Sequence, residues 1–139
     1  MRAIPPHSLW LGNSRDARDP QRLGDAGIAA VVDLADNEPM AILPRDLIHC
    51  RFPICDGGDN ARWRLWLAIE TVAQLLRADI PTLVACSAGM SRSPSIAAAA
   101  LALLTKQTPN QALVHCVGTA AADVSPLLWR DVCAALLDE

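Results

Sequence analysis

The sequence predicts an α/β fold, a three-layer sandwich in which a small, mostly parallel central sheet is flanked by helices. Three observations carry that expectation. Two short apolar runs, Ser8 to Gly12 and Ile28 to Leu34, are separated by a polar stretch of helical character. A strand–helix–strand order with short connections favours parallel pairing. A third apolar run, Pro81 to Ala85, stops at a loop of small residues, and an almost unbroken Ala/Leu/Ile segment from Ser95 to Leu104 follows, which reads as a buried helix. Finally, 139 residues, 52% apolar and 19% charged, suffice for one core without metal or disulfide support, so residues 1–139 are expected to form a single domain.

Leu9-Trp10-Leu11 alternates as a short strand closed by Gly12 and Asn13. Ser14 to Gly27 reads as one capped, mostly polar helix, with Gly27 as its C-terminal glycine. Ile28 to Leu34 is β-branched and nearly uncharged, as a strand covered on both faces must be. Asp36 to Asp46 contains Pro39 and Pro44 and is assigned to a loop. Leu47 to Phe52 is the next strand, stopped by Pro53. Ile54 to Asn60, with Gly57 and Gly58, is a turn expected to be the most mobile segment. Ala61 to Ala78 places Trp66, Ile69, Val72, Ala73 and Leu76 at helical spacing. Thr108 caps and Pro109 opens a helix to about Val117, and Ser125-Pro126 repeats that start signal for a last helix to Leu137.

Composition also narrows the function. A net charge of −3 argues against nucleic acid or an anionic membrane surface as partner. Pro5, Pro6 and His7 interrupt the start of the chain, so no signal peptide is expected, and the run ending at Leu104 is too short to span a bilayer. Five cysteines without paired spacing point to a reducing compartment, with the cytoplasm as the expected location. His7, His49 and His115 share no metal-ligand spacing. With no Walker loop, zinc spacing or dinucleotide fingerprint either, no metal or cofactor is expected.

The stretch Val84 to Pro94 organises the rest. A strand end, a loop of small residues and a helix start are compressed around Cys86. Successive amides of Ser87, Ala88, Gly89, Met90, Ser91 and Arg92 can turn toward a common centre. Such a nest at a helix N-terminus favours an anion, and a thiol held in that field ionises more readily than a free one. Arg92 adds a planar fork suited to phosphate oxygens. A cation at a helix start opposes the helix dipole unless it binds an anion, which supports that role. Ser93 has two readings, an N-terminal capping serine or a donor to the Cys86 sulfur, and Pro94 fixes the first helical turn.

Cys86, five intervening residues and Arg92-Ser93 resemble the signature loop of the protein tyrosine phosphatase superfamily, and the Ala-Gly-Met-Ser-Arg-Ser wording is closest to its small dual-specificity phosphatases. Leu-Trp-Leu-Gly-Asn at 9–13 and Gly-Ile-Ala-Ala-Val-Val-Asp-Leu-Ala at 27–35 resemble the opening of those domains. The resemblance implies a phosphatase-like fold and a metal-free phosphocysteine mechanism on phosphorylated proteins or peptides. Cys86 is the nucleophile, Arg92 and the loop amides the phosphate site, and Ser93 an aid to thiolate departure. It also implies a general acid on a loop about thirty residues before the cysteine. Asp56 stands there, with Asp59 as the fallback and a plain Asp-Gly-Gly turn as the bland alternative.

Two departures matter. The residue before the cysteine is normally histidine, which by resemblance orders the loop and favours the thiolate; here it is Ala85. The arginine-rich helix that often follows the site is missing, since residues 113 to 122 contain no arginine. Two other functions therefore stand beside the protein phosphatase. One is a phosphate-binding pseudophosphatase. The other is the same chemistry on a phosphoinositide, phosphoglycan or RNA 5′-phosphate, which the lack of lysine in the loop disfavours for the inositide. Arg62, Trp63 and Arg64 form either a basic, aromatic rim for a phosphopeptide or a solvated helix start with one packed tryptophan. Trp10, Trp66 and Trp129 are expected in the core, as are Cys50, Cys116 and Cys133. Cys55 stands beside Asp56 as a candidate oxidative partner of Cys86.

Overall fold

The structure, a computed structural model, describes residues 1–120 and 122–137. Its elements run β1 (Arg2–Ala3), β2 (Leu9–Asn13), α1 (Ser14–Ala17), α2 (Pro20–Asp25), β3 (Ala30–Ala35), β4 (Ile48–Ile54), α3 (Arg62–Arg77), β5 (Thr82–Cys86), α4 (Arg92–Leu104), α5 (Pro109–Val117) and α6 (Pro126–Leu137). The strands form one sheet in the order β1-β2-β5-β3-β4. Every pairing is parallel except β1 with β2. The three-layer α/β architecture expected from the sequence is therefore present, with β5 at its centre.

Strand periodicity sorts the core into two sides. Val84 and Cys86 of β5 join Leu9, Leu11, Val32 and Leu34 in the larger cluster, which is completed by α3, α4, α5 and α6. Leu83 and Ala85 point the other way, into a small cluster with Ala17, Leu23, Ile28 and Val31. Helix α4 is buried from Arg92 to Leu101 because other elements surround it, which is why its sequence shows no polar face. Trp66 and Trp129 pack against the larger cluster and Trp10 against the smaller one; all three are half-buried. Among the described residues no helix is long and apolar enough to cross a membrane.

Three expectations need correction. The single helix over Ser14 to Gly27 is two helices broken at Pro20, which lacks an amide hydrogen and drives Asp19 out of helical geometry. Asp19 instead caps α2, accepting from the Arg22 amide at 3.1 Å. Gly27 does follow that helix with φ +73°. Strand β4 does not stop at Pro53 but runs through it to Ile54. It is the sheet edge, where a missing donor is tolerated, and its register against β3 shifts between Asp33 and Ala35. Finally, the sequence reading did not include β1, a two-residue antiparallel strand on the opposite edge.

Candidate active site

The carboxyl ends of parallel strands are where an open α/β sheet leaves a crevice. Here β5 ends at Cys86, paired with Asn13 of β2, while the β3–β5 register ends one residue earlier, at Asp33 and Ala85. A cavity of about 290 Å³ opens at that divergence, lined by Asn37, Asp56, Cys86, Ser87, Ala88, Met90, Ser91, Arg92 and Asp123. Cys86 is 2% exposed and forms part of its wall.

The loop between Cys86 and α4 is shaped by a close approach to β2. Gly89 has φ +75°, and a Cβ there would stand 2.9 Å from the Gly12 carbonyl oxygen. Only glycine satisfies both constraints. Ser14 ties the other side, its amide donating to Ser87 O at 3.3 Å and its hydroxyl to Cys86 O at 3.3 Å. No amide from Ser87 to Ser91 donates to a protein acceptor among the described residues. These donors sit at the N-terminus of a thirteen-residue helix, the arrangement that suits a tetrahedral anion.

Arg92 is 5% exposed and does not turn to solvent. Its Nη1 donates to Ile54 O at 2.9 Å, Asp36 Oδ1 at 3.1 Å and Asn37 Oδ1 at 3.2 Å. Its Nε is buried and has no hydrogen-bond partner. Arg92 lines the cavity, and a guanidinium fixed there through one nitrogen can offer its remaining N–H groups to phosphate oxygens. Asn37 does double duty, since its Oδ1 also accepts from the Ser87 hydroxyl at 2.8 Å.

Asp56 reaches the cavity from the loop after β4. Its Oδ1 accepts the Ser91 hydroxyl at 2.6 Å, and the Ser91 oxygen accepts the Ser125 amide at 2.9 Å. The loop expected to be the most mobile is closed by a side chain. Asn60 accepts from the Cys55 amide at 2.8 Å and donates to the Cys55 and Gly57 carbonyls at 2.8 and 3.2 Å. Asp59, the fallback acid, takes φ +69° in this turn and does not line the cavity.

Not every expected residue arrives as anticipated. The Ser93 hydroxyl is fully buried and donates to the Gly12 carbonyl at 3.4 Å; no hydrogen bond joins it to the Cys86 sulfur. Trp63 is 62% exposed rather than packed, with the Arg64 guanidinium 5.2 Å from its ring centroid, and neither lines the cavity. All five cysteines are free, and Cys55 is exposed. Burial pushes up the thiols of Cys50 and Cys133, and that of Cys116 to about 12 against a weaker opposing pull from Arg2. Of these three only Cys116 is fully buried.

Asp36, Asn37 and Asp123 of the site escaped the sequence reading. Asp36-Asn37 directly follows a buried strand, which is the one signal that marks it, because such positions face the crevice of a parallel sheet. Asp123 arrives through its amide, which donates to Met90 O at 3.0 Å, a tertiary contact with no local sequence signal.

No family model matches the chain. Solved structures do. Human DUSP28 is 23% identical with a TM-score of 0.84, over 99% of this chain and 96% of that one. A mouse putative dual specificity phosphatase complexed with zinc tungstate is 23% identical with a TM-score of 0.81, over 99% and 91%. The human tyrosine phosphatase-like serine/threonine/tyrosine-interacting protein is 18% identical with a TM-score of 0.80, over 95% and 92%. The fold is that of the small dual-specificity phosphatases.

Proposed function

We propose that this chain, built on the dual-specificity phosphatase fold, is a cysteine-dependent phosphatase. It hydrolyses phosphotyrosine and, where pocket depth allows, phosphoserine and phosphothreonine in proteins or peptides. The observation that carries the reading is the buried Arg92 guanidinium, fixed through Nη1 in the wall of a cavity that Cys86 and Asp56 also line, beside loop amides with no protein acceptor among the described residues. Cys86 Sγ attacks phosphorus as the bond to the leaving oxygen breaks. Arg92 and the amides of Ser87 to Arg92 hold the three equatorial oxygens, so catalysis is positioning and charge stabilisation. Asp56 gives its proton to the leaving oxygen, then takes one from the water that releases phosphate from sulfur. Ser93, the loop serine nearest to Cys86 in sequence after the arginine, aids departure of the thiolate only after a change of rotamer from its Gly12 bond. A free thiol requires a reducing compartment, and the cytoplasm is the proposed location.

Ala85 favours the second reading, a phosphate-binding pseudophosphatase, and the third keeps the chemistry but changes the ester to a non-protein phosphomonoester. The joint presence of Cys86, Arg92 and Asp56 around one cavity weighs against the former, and two further carboxylates at or near the site, Asp36 and Asp123, weigh against a polyanionic substrate. The deciding experiment is kcat/KM against pH on paired aryl and alkyl phosphates. Activity abolished by Cys86→Ser, with an alkaline limb lost in Asp56→Asn, is the expected result. Tight phosphate binding without turnover establishes the pseudophosphatase instead.

A further inference from the structure

We propose that Ser91 is a positioning residue that keeps the acid proton of Asp56 on Oδ2, the oxygen available to the ester, and that Ser125 gives the Ser91 hydroxyl the direction this requires. The inference rests on the phosphatase reading above. Ser91 Oγ stands 2.6 Å from Asp56 Oδ1 and 2.9 Å from the Ser125 amide nitrogen. A backbone N–H can only donate, so the serine oxygen accepts from Ser125, and its single proton is directed to Asp56.

The alternative arrangement fails on satisfaction. Were Asp56 protonated at Oδ1, it would donate to the Ser91 oxygen, and the serine proton would need another acceptor. Among the described residues Ser91 Oγ has no other partner, and the residue is 5% exposed. An unsatisfied buried hydroxyl is costly, so the carboxyl proton belongs on Oδ2. Oδ2 has no protein partner among the described residues, and Asp56 lines the cavity with Cys86 and Arg92.

The same bond acts during reaction. When the bond from phosphorus to the leaving oxygen breaks, the Oδ2 proton passes to that oxygen and Asp56 becomes a carboxylate. Ser91 keeps its own proton throughout. Its bond to Oδ1 becomes charge-assisted as the proton departs and so strengthens along the reaction coordinate. An interaction stronger in the transition state than in the ground state accelerates the step. Nor is the hydroxyl occupied elsewhere. Ser91 is the N-cap residue of α4, yet its side chain caps no amide of that helix.

The test compares wild type, Ser91→Ala, Asp56→Asn and the double variant on phenyl phosphate, whose leaving group needs a proton, and 2,4-dinitrophenyl phosphate, whose leaving group does not. Ser91→Ala is expected to lower kcat/KM on phenyl phosphate by on the order of tenfold or more. The kcat/KM for the dinitrophenyl ester, which reports the first step alone, should stay within about twofold, and the serine substitution should add nothing in the Asp56→Asn background. Equal loss on both esters, or full additivity with Asp56→Asn, overturns the proposal and makes Ser91 a shaper of the loop. If Ser91→Ala does not fold, Ser91→Cys, which keeps a weaker donor, carries the same comparison, and unaltered leaving-group dependence there overturns it equally. Hydrolysis that survives Cys86→Ser is a separate outcome, removing the phosphatase reading itself.

Discussion

Asp36 Oδ1 lies 3.1 Å from Arg92 Nη1, so the cation that would meet phosphate is already partly neutralised. Arg92 is buried while Asp36 is exposed, so solvent weakens the pair without removing it. Asp36→Asn keeps an acceptor for Nη1 and removes the negative charge. Inorganic phosphate should then inhibit aryl phosphate hydrolysis more strongly, with an inhibition constant about two- to fivefold lower. A weaker inhibition would mean that the carboxylate chiefly holds the guanidinium in place.

Gly89 meets two demands at once, a left-handed backbone and a 2.9 Å approach to the Gly12 carbonyl. Gly89→Ala is expected to cost about 1–3 kcal/mol of stability. Because the strain falls in the anion loop, kcat/KM should drop by at least about tenfold, more than the melting temperature alone suggests. Thermal melts alongside steady-state kinetics separate the two. A variant with wild-type kinetics would show that the loop tolerates displacement from β2.

Much of this arrangement was legible in the chain, and the reasons are local. Cys86 and Arg92 could be placed because a strand end, small residues and a helix-opening Pro94 lie within one short segment. The helix starts at Pro109 and Pro126 carry short-range signals, and the structure places both helices there. The break at Pro20 is equally local, since a proline inside a helical run disfavours helical geometry at the residue before it. The extension of β4 through Pro53 depends on the strand lying at an edge, a fact of sheet order absent from any window of sequence. The partners of Arg92 are likewise non-local: Asp36, Asn37 and Ile54 meet it only because β3 and β4 end at the same crevice as β5.

Ala85 lies on the face of β5 opposite Cys86, in the small cluster with Ala17, Leu23, Val31 and Leu83. It is fully buried, with Asp33 as its register neighbour. An imidazole here must displace packed side chains, so Ala85→His should destabilise the fold by about 1–3 kcal/mol. A hydrogen bond to the buried Asp33 carboxylate would offset only part of that. Chemical denaturation of the variant checks the sign; a more stable protein would show that the α1–α2 layer has room for the ring.

Asp16 braces the turn after β2 on which the loop leans. It completes a capping box with Asn13, each side chain accepting the other's amide at 3.0 Å, and it pairs with Arg22 at 2.7 Å and the terminal ammonium at 3.1 Å. Burial works to raise its carboxyl, but the Asn13 amide, Arg22 and the ammonium outweigh it and hold Asp16 below the ordinary carboxylate range. A depressed folded value means that this stabilisation is complete above the unfolded-chain value, about 3.9, and fades as pH falls through the folded one. Asp16→Asn should therefore be less stable than wild type by about 1–2 kcal/mol at neutral pH. The two should converge as the pH drops below about 4. Parallel melting curves that keep their separation at acid pH would assign the loss to packing, not charge.

Asn60 closes the acid loop with three hydrogen bonds from one side chain, to the Cys55 amide and to the Cys55 and Gly57 carbonyls. Without it, Gly57 and Gly58 would leave the segment free to sample conformations in which Asp56 does not reach the cavity. A fixed turn removes that entropy before substrate arrives, and the gain falls on the two proton transfers of Asp56, to the leaving oxygen and from the hydrolytic water. Asn60→Ala is therefore expected to lower kcat on phenyl phosphate by about tenfold while leaving phosphate binding nearly unchanged. Asn60→Asp keeps an acceptor for the Cys55 amide but loses both donations to carbonyls, and should fall between. Hydrogen exchange supplies the independent reading. Protection of the Cys55 amide should drop in Asn60→Ala while the amides of β5 stay protected. If that protection is lost and kcat does not move, the turn need not be preformed for Asp56 to act.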